Sequence, residues 1–273
     1  SAKPTAVVMR DFTAFRKSLP FELPARRIDA VCVAPEKEKG WVRCFGAFLL
    51  SRQAGFDIRF AGAEQPLPES DFYILPSVGG SSEISRKAWL ALLDKVSAGA
   101  NLLITSDGRG CLSTFREVTG VEIDARFQEN CSFEFALKSH PEQMIRAVSA
   151  YRCMMTAQTA EVLAADASGN PMMTVGKYGK GQIFYINLAI ERMAVAEMPG
   201  CFHGEDVNPV YLLYREAMER AGIRRAVTKL LPGVGITEHP LDAHRTVCVA
   251  VNCEPEEAVC PLEVSGTVKE VWN

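Results

Sequence analysis

Ser106-Asp107-Gly108 closes an apolar run, Asn101-Leu-Leu-Ile-Thr105, and is where this sequence offers a side chain that could attack a carbonyl. A residue at a sharp turn directly after a buried strand has the placement of a nucleophile elbow. A serine there is a weak nucleophile and needs a base within hydrogen-bond reach. The histidines are His140, His203, His239 and His244, and none directly follows an apolar run of the α/β part. His203, in the loop after Gly200-Cys201-Phe202, is the one that could approach the sheet edge. Cys111, five residues past Ser106, is the second candidate nucleophile. It would need an exposed, electropositive setting to be reactive. The plainer role for Ser106 and Asp107 is to cap the turn that follows.

Two glycine-rich segments, Ser77-Val-Gly-Gly-Ser-Ser82 and Ser106-Asp-Gly-Arg-Gly110, would stand at the carboxyl ends of strands, with Asn187-Leu-Ala-Ile-Glu191 beside them. In an open parallel sheet that is where ligands bind. Backbone N–H groups at the start of a helix can hold an anion. This makes Ser77, Gly79, Gly80, Asp107 and Arg109 candidate ligand-binding residues. Neither segment has a Walker lysine or the full dinucleotide fingerprint. A tight strand-to-helix turn would need glycine in any case.

The elements that would position these residues follow from periodicity. Residues 28–33 are an apolar run that reads as a buried strand, 57–60 a short second strand, 71–75 a third and 101–105 another continuous apolar strand. Between the first two, Trp41, Phe45, Phe48 and Leu49 recur on one face of a helix over 41–53, stopped by Gly55. Between the last two, Ser81 or Ser82 would cap a helix with Glu83 in its first turn; Trp89, Leu92, Leu93 and Val96 form its stripe and Gly99 ends it. Strands alternating with helices imply βαβ units, right-handed crossovers and a parallel sheet covered on both faces. Further on, 131–137 alternates as a half-buried strand. Residues 161–165 and 171–175 pair across Asp166-Ala-Ser-Gly-Asn170, and 182–187 is another strand. Asn208-Pro209 starts a helix whose apolar face is Val210, Leu213, Tyr214, Ala217 and Ala221, ending at Gly222. The chemistry changes near Leu230-Leu-Pro-Gly233. Beyond it, 245–251 and 267–272 read as strands of a small β domain, about forty residues and little for an independent core.

The chain has 273 residues, 30 Lys+Arg against 33 Asp+Glu, and a formal charge of −3. That balance gives no basic footprint for nucleic acid or an anionic membrane. No run approaches the ~18 apolar residues of a membrane span. The first residues lack a signal-peptide core, and Ser1-Ala2 reads as a cloning remnant. The nine cysteines are odd in number, contain no CxxC pair, and end in Cys248, Cys253 and Cys260 without a following zinc-type histidine. Apolar surroundings such as Ala30-Val31-Cys32-Val33 mark them as buried thiols of a reducing, cytoplasmic compartment, and no metal or cofactor is expected.

Several short motifs carry a resemblance. Leu75-Pro76 ends a strand, a helix follows, and Ala98-Gly99-Ala100-Asn101-Leu102 opens the next strand. Later, Gly176-Lys-Tyr-Gly-Lys-Gly-Gln-Ile-Phe-Tyr185 forms a tyrosine-Gly-x-Gly hairpin with Glu191 shortly after. Across residues 28–273 this resembles the class I glutamine-amidotransferase-like group, in the version called the β-galactosidase trimerisation domain. That domain follows a catalytic barrel in microbial β-galactosidases and related glycoside hydrolases, and a small β domain follows it. The resemblance implies a three-layer, flavodoxin-like, mainly parallel α/β domain over 1–229 and a small C-terminal β domain, truncated or packed on the first, over 230–273. In true amidotransferases the elbow carries cysteine, which here falls on Ser106, and the partner motif carries histidine and glutamate. Aligned here, Glu191 keeps the acid but Ala189 replaces the histidine, and an alanine cannot take a proton. Glu191 would then make a buried ion pair with Arg192 or Arg109, or cap backbone. A glycosidase barrel takes roughly 250 residues, so no glycosidase acid or base is assigned to this chain.

Three functions follow as expectations. The first is a non-catalytic accessory and assembly domain of a carbohydrate-active protein, with self-association (a trimer by resemblance) and the neighbouring catalytic barrel as partners. The second is a hydrolase or amidotransferase-like enzyme using Ser106 or Cys111, with Glu191. The third is a sugar-binding module, for which Trp272 and Tyr178 remain as platforms if Trp41 and Trp89 lie on buried stripes.

Overall fold

The computed structural model describes residues 4–35, 40–196, 207–229, 231–254 and 256–271. Helix α1 (Pro4–Ser18) precedes β1 (Ala30–Ala34), α2 (Gly40–Ala54), β2 (Ile58–Gly62), β3 (Phe72–Val78), α3 (Arg86–Ala98) and β4 (Asn101–Ser106). The short α4 (Phe115–Thr119) leads into β5 (Val121–Phe127), β6 (Cys131–Leu137), β7 (His140–Ser149), β8 (Arg152–Ala157), β9 (Glu161–Asp166), β10 (Pro171–Tyr178) and β11 (Gly181–Ile186). Then come α5 (Ile190–Ala196), α6 (Tyr211–Arg220), β12 (Val227–Lys229), β13 (Val234–Pro240), β14 (Thr246–Asn252) and β15 (Leu262–Val264). Among the described residues, no helix is long and apolar enough to cross a membrane.

Nine strands form one mixed sheet in the order β2-β1-β3-β4-β11-β10-β9-β6-β7. The first five are mutually parallel, as the alternation of strands and helices implies. From β11 onward each neighbour is antiparallel. The reversal has a local cause: β10 and β11 are joined by a tight hairpin at Gly179 (φ +59), and no helix intervenes. Smaller antiparallel pairs are β5 with β8, β13 with β14, and β12 with β15.

Strands β1, β3 and β4 are buried along nearly all their length because both faces are covered, while edge strand β2 exposes Arg59 and Phe60. Ala30, Cys32, Phe72, Ile74 and Leu103 face one hydrophobic cluster with Leu50 of α2 and Tyr214 of α6. Val31, Val33, Tyr73, Leu75, Leu102 and Ile104 face the other with Trp89, Leu92 and Val96 of α3.

Four local expectations are corrected. Helix α2 does not bury the Trp41–Phe45 stripe: Trp41 is 66% exposed and Phe45 38%. It turns Gly46, Ala47 and Leu50 inward. An added Cβ at Gly46 would sit 2.8 Å from the Glu191 Cα, so small residues set this close approach and the aromatics are left outside. Helix α3 is capped by Ser85, whose Oγ accepts from the Ala88 N–H at 3.1 Å, and not by Ser81 or Ser82. Asn208 does not cap α6; its side chain bonds Arg146 of β7, and Val210 holds the cap position with helical backbone. Residues 267–271 form no strand, and the strand there is β15, drawn to β12 by pairing that no local pattern encodes.

Candidate functional site

The carboxyl ends of β3 and β4 carry two layers of polar side chains. The inner layer centres on Glu191, in the first turn of α5 and fully buried. The Ser77 and Thr105 hydroxyls donate to its Oε2, and the Tyr214 hydroxyl to its Oε1, each at 2.6 Å. The Ser77 N–H in turn donates to Thr105 Oγ1. Burial pushes the Glu191 carboxyl above its ordinary pKa; the three hydroxyls pull it back only in part. Burial likewise raises the Tyr214 phenol, and the Glu191 charge adds to it. Cys32 and Cys44 lie close by, and the bond to Cys44, with burial, raises the Cys32 thiol.

Ser77, not Ser106, is the residue with an elbow's backbone. Its φ is +45°, and the β3–β4 register shifts between Leu75 and Val78. A left-handed conformation costs a non-glycine residue about 1–2 kcal/mol. Yet Ser77 is fully buried and its hydroxyl is committed to Glu191, so it presents nothing to a substrate. The arrangement acts as a latch fastening α5 and α6 to the strand ends. Ser77→Ala should therefore destabilise more than Ser77→Gly, by about 0.5–1 kcal/mol. Both lose the hydrogen bond, but only glycine relieves the backbone. Denaturant midpoints of the two variants check this.

The outer layer is ionic. Glu83 accepts from both ends of the Arg43 guanidinium, from the Gly79 N–H at 2.6 Å and from Arg109 at 2.8 Å. Burial opposes its charge, but Arg43, Gly79 and Arg109 together hold the carboxyl below its ordinary pKa. Asp107 is buried, accepts the Arg109 N–H at 3.0 Å, pairs with the Arg109 side chain, and lies 3.7 Å from Arg192. A Cβ at Gly79 would lie 2.8 Å from Arg109 Nη2 and 3.0 Å from Glu83 Oε1, so a side chain here would displace the tips of this ionic network.

The structure thus brings Ser77, Gly79, Gly80, Asp107, Arg109 and Glu191 to one end of the sheet. Their polar groups satisfy one another. The Gly79 N–H, first donor of the expected anion cradle, is taken by the protein's own Glu83. Glu191 makes no ion pair with Arg192 or Arg109; both turn to Asp107, and hydroxyls fill their place. Ser106 is buried, accepts weakly from the Gly108 N–H at 3.3 Å and bonds the Tyr185 phenol, whose pKa burial raises. Among the described residues no histidine bonds Ser106. His239 is held by Pro24 and Thr237, and His140 lies beside Glu142. His203 lies outside the described residues. Cys111 is exposed with Arg126 near it, the setting its reactivity would need, yet partial desolvation outweighs Arg126 and raises its thiol. Residues that sequence reasoning missed are Arg43, Thr105 and Tyr214. They come from three distant elements, and only the sheet's crossovers bring them together.

No family model and no curated protein matches this sequence. Solved structures do resemble the fold. Gan42B, a GH42 beta-galactosidase from G. stearothermophilus, is similar over 85% of this chain and 35% of its own, with TM-score 0.58 and 14% identity. The beta-galactosidase from Bacillus circulans sp. alkalophilus is similar over 84% and 36%, with TM-score 0.57 and 14% identity. The alpha-L-fucosidase isoenzyme 2 from Paenibacillus thiaminolyticus is similar over 87% and 40%, with TM-score 0.62 and 11% identity. The chain spans about a third of the length of these beta-galactosidases.

Proposed function

We propose that this chain is a non-catalytic accessory and assembly domain of a carbohydrate-active protein. More closely, it is read as the β-galactosidase trimerisation version of the class I amidotransferase-like domain, over 1–229, with a small β domain from 230. The observation that carries this reading is the buried Glu191, engaged by three hydroxyls; by the resemblance, Ala189 falls where the family's histidine base would stand. The order β2-β1-β3-β4-β11 of the parallel half supports it, since this is the flavodoxin-like order. So does the likeness to glycoside hydrolases over only a third of their length. Its partners would be copies of itself, a trimer by resemblance, and a catalytic barrel. Its setting would be cytoplasmic, with reduced thiols. Light scattering at high protein concentration tests the assembly, and a strict monomer would count against it. Serine- and thiol-directed probes test the lack of catalysis; labelling of Ser106 or Cys111 above background would favour a hydrolase.

One observation favours sugar binding as a second reading. Trp41 and Phe45 stack with ring centroids 5.2 Å apart and stand exposed where α2 starts, beside the carboxyl end of β1. Exposed aromatics of this kind offer apolar faces to pyranose rings. Tyr178 is half-buried, and Trp272 lies outside the described residues. Galactoside titration should then quench tryptophan fluorescence in the wild type and not in Trp41→Ala.

A further inference from the structure

Just past β4, guanidiniums crowd the loop Asp107–Gly110. Arg109 Nε and Arg192 Nη1 both face one oxygen, Asp107 Oδ2, the latter at 3.7 Å. Arg126 of β5 donates to the Gly110 carbonyl at 3.2 Å and has no carboxylate partner among the described residues. Asp107 is buried, whereas the Arg109 side chain is 44% exposed and that of Arg192 32%. The next carboxylate is Glu83, which both ends of the Arg43 guanidinium and Arg109 already hold. Glu191, the residue before Arg192, is turned to its three hydroxyls. The Cys111 and Cys153 thiols beside Arg126 are raised by burial, so they supply no negative charge.

Four guanidiniums (Arg43, Arg109, Arg126 and Arg192) therefore meet two free carboxylates, Glu83 and Asp107, in a chain whose formal charge is −3. The excess is positive and partly open to solvent. Arg192 has the most to give. Its contact with Asp107 is too long for a hydrogen bond, and among the described residues its guanidinium makes none. A guanidinium fork with unspent donors matches two oxygens of a carboxylate or phosphate. Arg109, on the same Asp107 oxygen, is the second cation within reach of that anion. The carboxyl ends of parallel strands are also where ligands of open α/β sheets bind.

We propose that Arg192 and Arg109 form a seat for one oxyanion, the carboxylate or phosphate group of a small-molecule ligand. Asp107 holds the two heads side by side from below, and the anion closes the charge balance from the solvent side. The Gly79 N–H, committed to Glu83, takes no part, so recognition rests on side chains and not on a backbone cradle. The seat goes beyond an assembly role and does not depend on it.

Isothermal titration calorimetry of the whole chain at low ionic strength tests this, with glucuronate and inorganic phosphate as probes and sodium chloride as the control. One-site saturation by either probe is expected, weakened about tenfold or more in Arg192→Gln. That variant gives up only a 3.7 Å ion pair, so the fold should hold. Arg146→Gln, at a 75% exposed arginine on β7, should bind as the wild type does. Saturation by glucuronate alone assigns a carboxylate ligand, by phosphate alone a phosphorylated one, and by both in competition a seat that reads charge. In the wild type, the Arg192 Nε–H resonance should shift as either anion saturates, which decides the matter without any variant. No saturable binding, binding that chloride matches, equal loss in both variants, or an unmoved Arg192 resonance overturns the proposal. Neither readout reports stoichiometry or probe labelling, so failure here leaves the accessory-domain reading untouched.

Discussion

Glu191→Ala is expected to lower the unfolding free energy by about 3–5 kcal/mol, because it strips three buried hydroxyls of their charged acceptor. In a chain of this size that is a fall of roughly 10 °C in Tm. Helix α5 is only seven residues long, so it has little stability of its own and depends on the latch. Glu191→Gln keeps the shape and removes the charge, and its effect should depend on pH. The folded Glu191 pKa is raised above the unfolded value of 4.5. As pH rises from that unfolded value through the folded one, the native state binds more protons than the unfolded state, so this group's contribution to stability falls. The glutamine variant has no such titration. Its stability relative to wild type should therefore improve as pH climbs through that window and then level off. Urea unfolding of the pair from pH 4 to 8 measures the difference; a flat difference would mean that Glu191 is not a desolvated carboxyl.

The second large effect is expected at Arg225, which is 3% exposed at the side chain. It pairs with Asp29 just before β1 and with Asp57 just before β2, at 2.8 Å for the latter, and its Nη1 donates to the Ile236 carbonyl of β13 at 3.2 Å. Arg27 extends the network to Glu238 of β13 at 3.3 Å. Arg225→Ala leaves two buried carboxylates with fewer partners and should cost about 3–5 kcal/mol. Arg225→Lys should recover only part of this, because an ammonium cannot bridge both acids with a planar fork. Limited proteolysis should then cut first in the β13–β15 tail. A loss below about 1 kcal/mol in Arg225→Ala would show that the tail stands apart from the sheet's base.

These two networks also mark how far a linear reading reaches. The runs around residues 30, 73 and 103 mark buried parallel strands through composition alone. A strand covered on both faces must be apolar at every position, and that signal is local. The stripe of Trp89, Leu92, Leu93 and Val96 was legible for the same reason: one helical face met one sheet face. The glycine at 80 has a local reason, a positive φ and a backbone approach by Gly110 and Cys111 that leaves no room for a Cβ. Helix α2 misled because its aromatics made the stronger pattern, while the contact was set by the size of Gly46 against α5, a partner about 145 residues away. The elbow was placed one strand late, at Ser106, because a positive φ on Ser77 leaves no mark in residue type. Composition and periodicity determined that this chain builds a layered α/β sheet with a polar, glycine-rich end. Which groups meet there, and that Glu191 is closed off by Ser77, Thr105 and Tyr214, was decided by the tertiary structure. Hydrogen bonds there between residues up to 115 positions apart depend on crossovers that no local window contains.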